Sequence, residues 1–194
     1  QNNVPTLVKY ANEVPYWITV AQSFTNYAET FTKIEHNDDW CRLVDFDSDA
    51  EKQILAGFLV RFGNVSYHQA FEMINSLNPQ ELFALENQVF EEMDRFDSPL
   101  RELEYATFTF ELIMDQGAYF EIKRHRMMTQ TPQALTTMLG YALPKTIVKA
   151  GFEEGFHNAM KLAHETYLEI AEWNPFVASY VVPNGYNRRL LLRA

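Results

Sequence analysis

The hydrophobic positions in the first half of this chain recur every three or four residues, a spacing typical of helices with one buried face. Four helices are predicted in this way. Their apolar positions are Val20, Phe24, Tyr27, Phe31 and Ile34, then Ile54, Leu55, Phe58 and Phe62, then Ala70, Phe71, Ile74 and Leu77, and finally Leu82, Leu85, Val89 and Met93. Ser66 with Gln69, and Asn78 with Glu81, have the spacing of capping boxes and support the last two helices.

In residues 103–113, which are rich in strong β-forming residues, the spacing changes to a period of two. One set of alternating positions is Ala106, Phe108, Phe110 and Leu112, and the other is Tyr105, Thr107, Thr109 and Glu111. This stretch predicts a half-buried strand. A shorter strand is expected at Cys41–Phe46, within an acidic loop. Many helices with little sheet predict the α+β class, a helix-rich domain with a small and mostly antiparallel sheet.

Helical signals return after the strand. Asp115 can cap a short helix that runs to Lys123. Residues 127–144 are expected to be irregular, and a long helix is predicted for residues 144–173. Helix or strand is expected in two further stretches, Val177–Pro183 and Leu190–Arg193.

Two regions follow from these patterns, a helical segment at residues 1–40 and a main domain at residues 41–194. The chain opens with Gln1, and its last residues have the pattern of the middle of an element. We therefore expect the C-terminal part of the main domain to be missing, and the chain to be a fragment of a longer one.

Composition excludes several classes of protein. With 16 basic against 26 acidic residues and a net charge of -10, general nucleic-acid binding is not expected. No stretch approaches the roughly 18 apolar residues that cross a membrane. Cys41 is the only cysteine, so no intrachain disulfide is possible. We expect Cys41 to be a small buried side chain and the protein to be cytoplasmic.

Other polar groups have structural explanations. His157 and His164 lie seven positions apart without third and fourth metal ligands, so we expect a solvated helix face and no metal site. Gly151 and Gly155 are expected to let another backbone pack closely. For Asn187–Arg189, which follow a predicted turn, a second anion contact and a solvated turn are both open, and we favour the turn.

One segment opposes the acidic bias of the chain. Arg124-His125-Arg126 places three possible cations side by side. Such a cluster needs an anionic partner, and an Arg fork matches phosphate oxygens. Cations at a helix C-terminus also interact favourably with the helix dipole, by about 0.3–1 kcal/mol. Spacing alone therefore leaves both a structural and a ligand-binding role open.

The order of strand, short helix, Arg-His-Arg triplet and polar, proline-containing run resembles the flavin-dependent thymidylate synthases, the ThyX family, over roughly residues 41–194. That family's signature is Arg-His-Arg, seven residues, Ser, any residue and Arg. The triplet is intact here. The family serine falls on Ala134 and the family arginine on Thr136.

Three positions outside the signature extend the comparison. Ser98-Pro99 resembles the family's upstream Thr-Pro. A family glutamine three residues before the triplet is Glu121 here. Ser179 replaces a phosphate-binding arginine in the segment Ala178–Pro183, which resembles the family's Ala-Arg-x-x-Leu-Pro.

The resemblance implies a homotetramer with FAD in a groove between subunits. It also implies transfer of a methylene carbon from a folate to dUMP, with reduced flavin as hydride donor and NADPH as reductant. In that scheme the flavin-binding residues are Arg124, His125, Arg126, Thr129 and Ser98. No catalytic residue is assigned.

The departures from the family lie at the implied substrate-binding positions, which are Glu121, Ala134, Thr136 and Ser179. A lost charge-assisted hydrogen bond costs about 1.5–3 kcal/mol. Two lost arginines can therefore lower dUMP affinity by roughly three powers of ten or more. We expect the domain alone to be a weak or inactive thymidylate synthase.

Three hypotheses accommodate that expectation. A partner ThyX domain, in the same or another chain, can complete the site. A divergent flavoenzyme can act on another nucleotide. Finally, a non-catalytic domain can serve oligomer assembly, with Arg124 and Arg126 in interface ion pairs.

Overall fold

The computed structural model describes Val8, residues 14–30 and residues 39–194, and the chain forms two compact units, residues 1–38 and 39–194. In the first unit, helix α1 (Pro15–Ala28) begins with a proline at its first position, where the missing N–H costs no hydrogen bond. Its predicted apolar positions Val20, Phe24 and Tyr27 are exposed. Phe31 and Ile34, predicted for the same helix, lie outside the described residues.

The second unit is built mainly from helices. They are α2 (Ala50–Gly63), α3 (Tyr67–Ser76), α4 (Pro79–Phe90), α5 (Gln116–Ile122), α6 (Lys145–Lys149), α7 (Glu153–Trp173) and α8 (Pro175–Ala178). Two short 3-10 helices, Arg101–Tyr105 and Ser179–Val181, complete the set.

A four-stranded antiparallel sheet joins these helices. Its strands are β1 (Cys41–Phe46), β2 (Phe108–Asp115), β3 (Thr129–Pro132) and β4 (Asn187–Arg193). The strand order is β1-β2-β4-β3, so β4 lies between β2 and β3 although it is last in sequence. The predicted α+β class, helix-rich with a small antiparallel sheet, is confirmed.

The three helix caps predicted from the sequence, at Ser66, Asn78 and Asp115, are present in the structure. Ser66 and Gln69 form a capping box at α3, and Asn78 and Glu81 form another at α4. The Asp115 side chain accepts a hydrogen bond from the backbone N–H of Ala118 and so caps α5. Each cap satisfies N–H groups that a helix start leaves without partners.

The strand predicted at residues 103–113 begins later than expected, at Phe108. Residues 101–105 form a 3-10 helix, in which Arg101 binds Glu104 with two hydrogen bonds. Backbone pairing begins where both neighbours are available, because Phe108 lies opposite Phe46 and also bonds to Ala194. Position in the sheet therefore overrides the alternating pattern of residues 103–107.

Two predictions for the second half are wrong. The expected long helix is broken between α6 and α7, because Gly151 adopts a left-handed φ of 74°. Part of the stretch expected to be irregular is strand β3, which pairs with β4 along residues 129–132. That pairing joins segments about sixty residues apart, so no local pattern reports it.

The main core lies between α7 and the segment that precedes β4. Its buried residues are Met160, Tyr167, Ala178, Val182 and Tyr186. The Tyr186 hydroxyl donates to the Met160 carbonyl at 2.7 Å, which satisfies both buried groups. Cys41, predicted to be buried, is exposed because β1 lies at the sheet edge.

Among the described residues, no helix has the length and apolar character needed to cross a membrane.

Gly151 and Gly155 should respond in opposite directions to the same substitution. Among the described residues of this chain, neither has an atom within 4 Å of the position a Cβ would take, so the predicted close packing is not seen there and we expect only backbone effects. Gly151→Ala strains a left-handed residue and should lower the free energy of unfolding by about 1 kcal/mol. Gly155→Ala, inside α7, should raise it by about 0.5–1 kcal/mol. Urea unfolding of both variants measures this, and equal shifts would contradict it.

Candidate functional site

The Arg124-His125-Arg126 triplet is held between α5 and β3. The backbone N–H of Arg124 donates to Glu121 and that of His125 donates to Ile122, so the triplet extends the last turn of α5. The Gln130 side chain then donates to the carbonyls of Ile122 and His125 at 3.1 and 3.0 Å. A residue of β3 therefore gives the Ile122 carbonyl a second donor, beside the His125 N–H, and gives the His125 carbonyl a side-chain donor.

The two arginines of the triplet have different electrostatic surroundings. Arg124 lies 3.2 Å from the Glu121 carboxylate, and both side chains are mostly exposed. Such a pair contributes little stability because water screens it. Arg126 has no carboxylate within 4.0 Å among the described residues. Its charge is therefore available to a ligand.

Arg126 lines a cavity of about 910 Å³ at the end of the sheet where β3 begins and β4 ends. We call this the sheet-end cavity, defined by Arg126, Thr129, Thr107 and Arg193. Its remaining wall is largely apolar and includes Leu100, Leu103, Met127 and Met128. An apolar wall with a few convergent polar groups is the usual composition of a small-molecule site, and the volume lies in the usual range.

The structure brings together some of the predicted flavin-binding residues. Arg126 and Thr129 share the sheet-end cavity. Ser98 lies in an adjoining cavity of about 320 Å³, which shares Pro99, Leu100 and Leu103 with the first. Arg124 and His125 are exposed and line neither of these two cavities.

The predicted substrate-binding positions lie on three separate elements and line neither cavity. Glu121, on α5, is paired with Arg124. Ala134 and Thr136 follow β3, and the Thr136 hydroxyl accepts from the backbone N–H of Met138. Ser179 donates to the Phe176 carbonyl at 2.7 Å. Ala134, Thr136 and Ser179 therefore present no cation to a phosphate. At Glu121 the nearby cation is its ion-pair partner, Arg124.

Arg188, expected in a solvated turn, lies instead on β4 and is partly buried. Its Nη1 donates to the Gln116 side chain at 2.9 Å, and Nη2 donates to the Gln133 carbonyl. Its guanidinium also lies 4.4 Å from the centroid of the Tyr119 ring. Burial lowers the Arg188 pKa from its ordinary value, an effect that the Tyr119 hydroxyl partly offsets. Arg188 therefore links the start of α5 to the end of β3.

His157 and His164 of α7, predicted to lie on a solvated helix face, each make a side-chain hydrogen bond to the segment after β3. His157 Nδ1 lies 2.6 Å from the Tyr141 hydroxyl, and His164 Nδ1 lies 2.7 Å from the Thr137 hydroxyl. Both contacts hold the segment after β3 against α7. The described residues contain no group of three His, Cys, Asp or Glu side chains that could hold a metal ion.

Arg193 is not among the site residues predicted from the sequence, and for Arg188 a solvated turn was favoured over an anion contact. Arg193 lines the sheet-end cavity, and Arg188 supports the elements around it. Both lie on β4, which pairs with β2 and β3, strands that are distant from it in the sequence. The signal available in the sequence was basic residues at both ends of the apolar run Leu190–Leu192.

Comparison with known proteins finds a matching family and several relatives. The model of the thymidylate synthase complementing protein family matches residues 42–194. A UPF0159 protein of Chlamydia pneumoniae is 34% identical over 161 residues, which are 82% of this chain and 30% of that protein. A UPF0159 protein of Chlamydia muridarum (strain MoPn / Nigg) is 34% identical over 151 residues, 77% and 28% of the two chains. The chain thus spans about 30% of the length of these relatives.

A solved structure has a similar fold. It is the crystal structure of a UMP/dUMP methylase PolB from Streptomyces cacaoi bound with 5-Br dUMP, which matches with a TM-score of 0.58. The alignment covers 83% of this chain and 75% of that chain at 16% identity. At this identity the likeness concerns the fold alone.

Arg188→Met should destabilise the protein. The substitution removes both hydrogen bonds and leaves the buried Gln116 side chain without its partner, which should cost about 2–4 kcal/mol. Arg188→Lys should recover part of this loss, because an ammonium reaches one acceptor but cannot bridge two. Arg95→Met, at an exposed position, is the control and should change stability by less than about 0.5 kcal/mol. Denaturant unfolding measures these variants. Equal changes in the free energy of unfolding for Arg188→Met and Arg95→Met would contradict the structural role of Arg188.

Proposed function

This chain belongs to the thymidylate synthase complementing protein family, and on that premise we propose that it binds FAD in the sheet-end cavity. The observation that carries the proposal is Arg126, an arginine without a carboxylate partner among the described residues, at the mouth of a cavity of about 910 Å³. A guanidinium in that position suits a phosphate group of the cofactor. The apolar wall suits its ring systems.

The groups present fit the cofactor in kind. Arg126 supplies a charge-assisted donor, and the Thr129 hydroxyl supplies a neutral one. Ser98, in the adjoining cavity, extends the polar surface available to a long ligand. Arg124 and His125 are assigned to the flavin by the family resemblance, which places the cofactor between subunits.

Bound FAD would supply hydride chemistry to a one-carbon transfer, with NADPH and a folate as the family's co-substrates. The role of this chain's own residues is to bind the cofactor, to orient it and to balance its negative charge. Positive charge close to a flavin also favours its reduced, anionic form.

We further propose that the dUMP pocket is degenerate and that the domain alone has weak activity or none. The support is chemical, because Ala134, Thr136 and Ser179 have no charged group to offer a phosphate. The Thr136 and Ser179 hydroxyls are also engaged by their own backbone neighbours. Glu121 adds a negative charge, which Arg124 balances.

A longer protein or a second chain would then complete the site. The matched relatives are more than three times as long as the stretch they share with this chain. That difference in length leaves room for a second domain of the same family. The cytoplasmic location expected from the single cysteine remains a prediction.

An oligomer, a tetramer by family resemblance, is part of the proposal. Its support is edge strand β1, where Leu43, Val44 and Phe46 are all at least 40% exposed. Apolar side chains on an exposed edge strand favour a covering partner. The same observation supports the second candidate function, a non-catalytic assembly domain that retains this interface without the cofactor.

A divergent flavoenzyme that acts on another nucleotide is the remaining alternative. PolB, which shares the fold, is described as a methylase of both UMP and dUMP. A uridylate other than dUMP is therefore the substrate class to try first.

Flavin titration separates these candidates. The wild-type chain should bind FAD, and Arg126→Gln should weaken binding by roughly ten- to a hundredfold because a charged hydrogen bond is lost. Arg95→Gln carries the same change of charge at an exposed turn and should leave the affinity unchanged. Fluorescence quenching of FAD gives all three dissociation constants. A wild-type chain that takes up no flavin would favour the assembly domain.

Restoring the family arginines tests the degenerate pocket. Thr136→Arg combined with Ser179→Arg should raise dUMP affinity by roughly ten- to a hundredfold for each arginine that contacts the phosphate. Ser76→Arg with Gln80→Arg adds the same charge at exposed positions and should have little effect. Isothermal titration calorimetry with dUMP measures both pairs. Equal gains in the two pairs would indicate general electrostatics and contradict the pocket assignment.

A further inference from the structure

Arg193 is a second cation in the sheet-end cavity, at the end of β4. In the sheet register it lies opposite Thr129 on β3. Directly opposed residues of antiparallel strands project their side chains to the same face. The Arg193 and Thr129 side chains therefore lie on the same face and line the cavity together. Thr129, the first residue of β3, follows Arg126 by three positions.

The Arg193 guanidinium is oriented but not neutralised. Its Nη2 donates to the Thr107 hydroxyl at 2.9 Å, which uses one of its five N–H donors. Within the described part of the chain, no carboxylate lies within 4.0 Å of Arg193 or Arg126. A neutral hydroxyl holds the fork in place and leaves its charge available.

Glu104 is the acidic side chain on the cavity wall, and it is already engaged. Arg101 donates to the two Glu104 oxygens at 3.1 and 2.9 Å. This hydrogen bonding holds the pKa of Glu104 below its ordinary value. Arg101 thus balances the charge of Glu104, and neither Arg126 nor Arg193 has a carboxylate within 4.0 Å among the described residues, although the last residue of the chain, Ala194, also lines this cavity.

We propose that Arg193 and Arg126 together form a subsite for a diphosphate group, and that Arg193 makes the cavity prefer ligands with two linked phosphates. Each guanidinium fork matches the oxygens of one phosphate, and the Thr129 hydroxyl is a further donor. The apolar wall of Leu100, Leu103 and Met127 is left for the organic part of the ligand. This inference deepens the proposed flavin site and rests on it for the identity of the natural ligand.

The test uses the whole chain and three probes, which are FAD, riboflavin and inorganic pyrophosphate. Arg193→Gln should weaken FAD and pyrophosphate binding by roughly ten- to a hundredfold and leave riboflavin binding unchanged. Thr107→Val, which removes the support of the guanidinium, should weaken FAD binding by a smaller factor. Arg95→Gln, at an exposed turn, is the matched control for the change of charge. Thermal unfolding of each variant shows whether the fold is retained.

The outcomes separate this inference from the proposed function. Pyrophosphate binding that depends on Arg193, in a chain that takes up no FAD, would overturn the flavin proposal and support the diphosphate subsite. FAD binding of equal strength in the wild type and in Arg193→Gln would support the flavin proposal and overturn the subsite. If Arg193→Gln weakened riboflavin binding as much as FAD binding, the diphosphate subsite would also be overturned, because riboflavin has no phosphate.

Discussion

The candidate site depends on the position of β4 between β2 and β3. Each β4 residue has a backbone partner on β2, and its second half also pairs with β3. Leu190 and Leu192 are buried beneath this arrangement. Arg188 adds side-chain links from β4 to the start of α5 and to the carbonyl at the end of β3. Since Arg126 lies on the connection between α5 and β3, its place at the cavity follows from these contacts.

The distribution of charge explains why the cavity suits an anion. Arg61, Arg101 and Arg124 each have a glutamate partner within 3.2 Å. Arg126 and Arg193, in contrast, share an open cavity whose acidic side chain is already bound by Arg101. Arg95 and Arg188 also have no carboxylate within 4.0 Å among the described residues, so what distinguishes Arg126 and Arg193 is that both line one cavity. A phosphate-bearing ligand provides the compensation that the chain itself does not.

The parts of the fold that the sequence predicts correctly are those in which neighbouring residues decide the structure. The caps at Ser66 and Asn78 were predicted because both partners lie within one helical turn. The family resemblance, recognised from the Arg-His-Arg triplet and the order of elements, is confirmed over residues 42–194. Strand β3 and the roles of Arg188 and Arg193 were missed because they arise from pairing between distant segments. The predicted flavin and substrate residues remain predictions, although two of them share a cavity.

The most direct test of this account is a crystal structure of the protein grown with FAD. The account predicts that the cofactor's diphosphate lies at about 3 Å, hydrogen-bond distance, from both the Arg126 and the Arg193 guanidinium groups. Its ring systems should then lie along the apolar wall near Leu100 and Met127. A flavin bound elsewhere on the chain, with these two arginines facing solvent, would contradict the central claim.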